Sequence, residues 1–222
     1  MNKRLPDNKK VFSKEIFSEY KKEFSPNYIL MIITAFLYIA ILYRYGLSKN
    51  FMENLDLIKY LILTPMLLSV VIIDYKLQII PNRLNLTMFE IGLLFAFLYG
   101  LSNVAISINM LLGMLAGGGI FLLITLLGGL VYGKEAMGLG DVKLMGALGL
   151  YFGLTNIIIV SLVSFLVCAV ISIFLLVAKI KKSADEYIPF GPFIVIGAFI
   201  SIFVPYSNLV EILKDIFSLG LL

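Results

Sequence analysis

Residues 91–133 read IGLLFAFLYGLSNVAISINMLLGMLAGGGIFLLITLLGGLVYG, 43 positions without a single Asp, Glu, Lys or Arg. A helix rises ~1.5 Å per residue, so about 20 apolar residues cross the hydrocarbon core of a bilayer. This run is long enough for two crossings, and Ser102-Asn103 is the polar pair at which it turns. Two further uncharged stretches follow, residues 144–178 and 187–210. Over all 222 residues 60% are hydrophobic and 14% charged, with a mean hydropathy of +1.00. A soluble domain is about half apolar and a quarter charged. The composition therefore excludes a soluble globular protein and predicts an all-α, polytopic membrane helical bundle.

On either side of the central run, spans are predicted at 28–43, 57–73, 85–101, 104–132, 157–178 and 190–204. A shorter apolar piece, 144–153, reads as a half-span or the tilted start of a longer helix, which makes about 6–7 membrane segments. Before them, Phe12, Ile16 and Tyr20 recur at helical spacing among charged residues, the pattern of an amphipathic helix on a membrane surface. After them, Asn208-Leu-Val-Glu211 resembles a capping box opening a short amphipathic end helix. The expected organisation is a polar N-terminal arm (1–26), one membrane domain (27–205) and a C-terminal amphipathic helix (206–222). Segments 1–27, 74–84, 133–143 and 179–186 carry 14 of the 18 Lys and Arg. By the positive-inside bias these face the cytoplasm, together with the N-terminus.

What is missing narrows the chemistry. There is no histidine, which removes Ser-His catalysis and His-based zinc sites, and a lone cysteine, Cys168, cannot build a thiolate cage or an internal disulfide. The net charge of +4 reflects the cytoplasmic loops and not a nucleic-acid partner. Carboxylates, lysines, hydroxyls and backbone remain.

Two aspartates stand where apolar segments meet loops of the same side, Asp74 at the end of Ser69-Val-Val-Ile-Ile-Asp74 and Asp141 in Met137-Gly-Leu-Gly-Asp141. Acids at the edge of hydrocarbon are costly and face a cavity or a partner. Two that converge share a proton, so that one can activate water while the other protonates a carbonyl or leaving amine. Peptide hydrolysis by such a dyad needs no metal and no cofactor. Gly138 and Gly140, just before Asp141, allow positive φ or close backbone approach, useful where a substrate is held extended. Gly113/Gly117 and Gly149/Gly153 repeat the small-residue spacing of tightly packed membrane helices. The same acids would serve a transporter or channel by relaying protons or binding cations. A lone acid at a helix end is also an ordinary cap or an ion-pair partner, with Lys76 and Lys143 at hand.

Three stretches together resemble the type IV prepilin peptidases, membrane aspartyl proteases of the GxGD type. They are Asp74-Tyr-Lys-Leu-Gln-Ile-Ile-Pro81-Asn82, Gly138-Leu-Gly140-Asp141-Val-Lys143 and Ile188-Pro189-Phe190-Gly191-Pro192-Phe193. The resemblance spans roughly residues 27–205. It implies Asp74 and Asp141 as the catalytic pair of an aspartic-type endopeptidase that removes the leader of prepilin or pseudopilin precursors at the cytoplasmic face of the bacterial plasma membrane. Gly138 and Gly140 are read as letting backbone lie close to the substrate, and Pro189, Phe190, Gly191 and Pro192, which cannot be regular helix throughout, either line the substrate cleft or form a rigid re-entry turn into the last span; the precursor and the lipid bilayer are the partners. The paired cysteines that the family associates with N-methylation are absent from this sequence, so methyltransferase activity and S-adenosylmethionine binding are not expected. A non-catalytic scaffold of a pilus or secretion machine is the other role open to such a chain. A presenilin-like protease shares GxGD, but no Pro-Ala-Leu motif is present.

Four more residues carry expectations of their own. Pro81 and Asn82 stop one helix and cap the next; Glu90 is an interfacial acid or a third carboxylate; Lys143 reaches lipid phosphate or orients the dyad.

Overall fold

The computed structural model describes residues 28–49, 51–132, 137–177 and 189–218, and among these every regular element is a helix. The N-terminal arm, residues 1–26, lies outside the described residues. Seven helices follow: α1 Tyr28–Tyr45, α2 Phe51–Leu77, α3 Asn82–Ser102, α4 Val104–Tyr132, α5 Leu139–Val177, α6 Gly191–Phe203 and α7 Tyr206–Ser218. Five of them, α1 to α5, are long and apolar enough to cross a membrane, and α6 is a shorter apolar helix of 13 residues. The chain divides into two units, Met1–Leu37 and Tyr38–Leu222, with α1 contributing to both. In the first unit, residues 28–37 expose Tyr28, Ile29, Ile32 and Phe36, as a lipid-facing helix would. The second unit holds the rest of α1 and all of α2 to α7.

Helix α2 runs past both ends of its predicted span because its charges are satisfied where they stand. Lys59 pairs with Asp56 one turn away, and Asp74 finds a partner on α6. The helix closes when the Gln78 N–H donates to the Asp74 carbonyl at 2.8 Å and Gln78 takes φ 53°, the left-handed stop usually given to glycine. Pro81, with φ −62° and ψ 132°, then opens α3, its carbonyl accepting the N–H groups of Leu84 and Asn85. Asn82 does not cap: its Oδ1 instead accepts Lys143 Nζ at 2.8 Å.

The turn expected at Ser102-Asn103 is present. Asn103 leaves the helical region, donates to the Tyr99 carbonyl, and its Oδ1 accepts the Ala105 N–H that begins α4. Helix α7 starts two residues before the predicted cap, at Tyr206 after Pro205. Asn208 lies inside it and accepts the Ser207 hydroxyl.

Helix α5 is one element with a single non-helical residue, Gly153, at φ 72° and ψ 176°. A Cβ on Gly117 of α4 would lie 2.5 Å from the Met145 carbonyl oxygen and 2.9 Å from Ile157 Cγ1. Those residues would stand ~18 Å apart along a straight helix. The chain therefore folds back at Gly153 into two limbs, 139–152 and 154–177, and the piece 144–153 belongs to the short first limb.

The expected small-residue seam packs α4 against α5. A Cβ on Gly113 would meet the Gly149 carbonyl oxygen at 2.5 Å, and one on Gly149 would strike the Gly113 backbone. Lipid tails are as apolar as leucine, so close packing of this kind, more than water exclusion, holds membrane helices together. Leu63, Leu67, Leu144, Leu148 and Ile194 fill the interior, while Leu94, Phe97, Leu115 and Leu130 stay on the outside. Tyr151 crosses the core to donate its hydroxyl to the Met88 carbonyl at 2.8 Å, locking α3 to α5.

Candidate active site

Asp74 is carried three residues from the end of α2 and is 5% exposed. A carboxylate buried to that degree needs hydrogen-bond donors. One comes from the third motif: the Gly191 N–H, at the first residue of α6, donates to Asp74 Oδ2 at 2.9 Å. A helix N-terminus has free N–H groups and a favourable dipole for an acid, and here Pro192 follows at a position where its missing N–H costs nothing. Gly191 is required sterically, because a Cβ there would press on the Asp74 carboxyl group, 3.1 Å from its carbon.

Asp141 lies in the first turn of α5, half-buried, and within electrostatic range of Asp74. Its own N–H donates to the Gly138 carbonyl at 3.0 Å, which shapes the turn. The two motif glycines differ. Neither has positive φ. Gly140 is pressed on Ile80, whose Cβ would be 3.2 Å from an added Cβ, whereas Gly138 would make only an ordinary contact with Asp141 at 3.6 Å. Close approach is thus the reason for Gly140, and neither crowding nor positive φ demands glycine at Gly138.

Phe190 turns its ring into an aromatic cluster with Phe121, Phe165 and Phe193, at centroid distances of 6.0, 5.2 and 6.1 Å. These contacts seat the Pro189–Pro192 segment and so hold the Gly191 N–H on Asp74. Lys143 is bonded to Asn82 and, among the described residues, forms an ion pair with neither aspartate. Glu90 is exposed on the first half of α3 and is not drawn into the site as a third carboxylate.

One residue at this edge went unmarked in the sequence. Asn85, 4% exposed, donates Nδ2 to the Gly140 carbonyl at 3.1 Å and ties α3 to the turn before Asp141. A carboxamide one turn inside an apolar span was the signal available for it. Beside it opens a cleft of about 480 Å³ between α3, α4 and the first limb of α5.

At the opposite end of α2 is a second polar cluster. Lys59 Nζ bonds Asp56 Oδ1 at 2.7 Å, the Tyr99 hydroxyl donates to the same oxygen at 2.7 Å, and the ammonium sits over the Tyr60 and Tyr99 rings. Among the described residues, no three His, Cys, Asp or Glu side chains gather as a metal site would require.

A polytopic helical membrane protein with two acids within electrostatic range of each other is the class that fold and site define. The sequence profile of the type IV leader peptidase family matches residues 61–173, more than half of the chain, and the chain belongs to that family. Similar curated proteins carry the name prepilin leader peptidase/N-methyltransferase. The one from Aeromonas hydrophila is 34% identical over 142 residues, 64% of this chain and 48% of the relative. That of Legionella pneumophila is 34% identical over 160 residues (70% and 53%), and that of Neisseria gonorrhoeae 29% over 172 (78% and 55%). The chain spans about half the length of the curated relatives it matches. No solved structure matches it.

Proposed function

We propose that this chain is an aspartic-type endopeptidase of the membrane that removes the leader of type IV prepilin or pseudopilin precursors. The observation that carries the reading is the convergence of three separate motifs on one carboxylate: Asp74, the Gly191 N–H that holds it, and Asp141 within electrostatic reach. Family membership and the relatives' names support the substrate class.

In this reading the two carboxyl groups share one proton. The ionised one takes a proton from water as its oxygen attacks the scissile carbonyl carbon. The protonated one gives its proton to the carbonyl oxygen, forming a gem-diol. The first carboxyl then passes the water-derived proton to the amide nitrogen while the second takes a proton back from the gem-diol, so that C–N cleavage releases the amine and restores one shared proton to the pair. The Gly191 N–H keeps Asp74 oriented throughout. Gly140 lets the turn before Asp141 approach Ile80, and Gly138, Pro189 and Pro192 border the path of the extended substrate. Phe190 serves that path through its backbone, since its ring is committed to the aromatic cluster. The basic residues of segments 74–84 and 133–143 support a cytoplasmic position for this edge, in a bacterial plasma membrane. Helix α7 is assigned to the membrane surface, after the domain that spans 27–205.

The test is leader cleavage of a co-expressed prepilin in membranes by wild type, Asp74→Asn and Asp141→Asn. Wild-type cleavage, with both variants inserted but inactive, is the expected result. Cleavage surviving either change removes the dyad. A wild type that cuts no pilin returns the acids to a transport or scaffold role.

A further inference from the structure

Asn85 carries an imbalance that stability does not explain. Its Nδ2 donates to the Gly140 carbonyl, while its Oδ1 is buried and, among the described residues, has no hydrogen-bond partner. The end of the amide that bonds a carbonyl must be the nitrogen, so the stranded atom is the oxygen. The Gly140 carbonyl does not depend on this bond, because it lies within α5 and has the N–H four residues on as its helical donor. A buried acceptor left dry costs at least as much as a typical hydrogen bond contributes. An apolar side chain of the same branching, such as leucine, would therefore serve the fold at least as well.

What the bond does is fix the turn that carries Asp141. Asp74 is held directly, by the Gly191 N–H. The Asp141 carboxyl accepts no hydrogen bond among the described residues, so its place is set by its backbone. Two side chains at the start of α3 engage the start of α5 at matching spacing, Asn85 on Gly140 and Asn82 on Lys143. The Asn82–Lys143 bond is exposed to water, whereas that of Asn85 is shielded, where a lower dielectric strengthens it. Ile80, packed against Gly140, limits how near the turn can come. The Asn85 bond limits how far it can withdraw.

We propose that Asn85 is a positioning residue for the reaction: it holds the turn before Asp141 at the distance from α3 that brings this carboxyl to Asp74, and the fold keeps a stranded oxygen as the consequence. The inference rests on the peptidase reading and adds to it a residue that acts through Asp141 without touching substrate.

The test follows prepilin cleavage in membranes by the full chain, with rates set against inserted protein, for wild type, Asn85→Leu, Gly140→Ala and the two changes combined. Asn85→Leu should lower kcat about tenfold and leave KM within about twofold, because a displaced catalytic group slows the chemical step and not substrate binding. Its thermal unfolding in detergent should begin no lower than that of wild type, the outcome a side chain needed for folding would not give. Asn85→Leu and Gly140→Ala displace the same turn, so the combined variant should lose about as much as the worse single one.

An unchanged kcat, a loss confined to KM, or a lower unfolding temperature or failed insertion of Asn85→Leu would each overturn the positioning role. So would losses that multiply to about a hundredfold in the combined variant. All four outcomes spare the peptidase reading as long as wild type cuts. A wild type that cuts no prepilin would strike the peptidase reading itself, and this role with it.

Discussion

Gly191 and Asp74, 117 residues apart in the chain, are joined by a 2.9 Å hydrogen bond from the glycine N–H to the aspartate Oδ2. The bond closes the ring of motifs at this edge, because the turn that carries Gly191 is itself seated by Phe190 in the aromatic cluster. The glycine's lack of a side chain is as important as its N–H. A Cβ would occupy the space of the carboxyl group. Gly191→Ala should therefore lower leader cleavage by about 100-fold, the scale expected for a catalytic group displaced by ~1 Å, with membrane insertion unchanged. Cleavage rates set against the amount of inserted protein will check this; activity near wild type would show that the carboxylate needs neither the space nor the donor.

The glycines before Asp141 should separate in the same assay. Gly140→Ala must push on Ile80 across a 3.2 Å gap and is expected to cost roughly tenfold in cleavage. Gly138→Ala, facing only a 3.6 Å contact, should stay within about twofold of wild type. The reverse order would mean that the turn's shape in the substrate complex differs from the one described.

Stability should respond along the α4–α5 seam. Gly113→Ala and Gly149→Ala set a methyl against backbone and are expected to cost about 3 kcal/mol or more, beyond ordinary overpacking because backbone cannot rotate away. Gly119→Ala, with open space around it, should be neutral or slightly stabilising. Thermal or denaturant unfolding in detergent, followed for all three, distinguishes a packed seam from incidental glycines.

The Lys59–Asp56 pair offers a test far from the chemistry. Removing the lysine alone leaves Asp56 short of a partner inside the bundle. Breaking a fully buried pair costs ~3–5 kcal/mol; with Asp56 side chain at 39% exposure, Lys59→Ala should cost about 2 kcal/mol. The double change Lys59→Met with Asp56→Asn should recover most of that loss, since no charge is then stranded. Equal destabilisation by the single and double variants would show that packing, not charge, dominates.

Much of this architecture was legible in the sequence for identifiable reasons. Uncharged runs and the Ser102-Asn103 punctuation located α3 and α4 within a few residues, because bilayer thickness constrains helix length strongly. The glycine spacing 113/117 and 149/153 announced the seam, and the two aspartates stood out because acids are scarce at hydrocarbon edges. Charges misled at the ends of α2: Asp56 and Asp74 looked like boundaries but are helical, since each finds its partner in three dimensions. The Gly191 N–H could not be read as a donor to Asp74, because backbone groups carry no sequence signature. Asn85 was readable in principle, but its polarity was hidden beside the more conspicuous Pro81-Asn82.

The polar cluster at the far end of α2 also governs how that helix can move. From Asp56 to Asp74 is 18 positions, which at ~3.6 residues per turn is close to five whole turns over ~27 Å. Both acids therefore project at nearly the same azimuth, with Pro65 interrupting only one rung between them. Smooth apolar helices can spin or slide against their neighbours at little cost, but one keyed to Tyr99 through an Asp56 carboxylate oxygen cannot. Asp56 acts as an indexing pin: a slip of one residue there, ~100° of rotation, would swing Asp74 away from Gly191 at the other surface of the bundle.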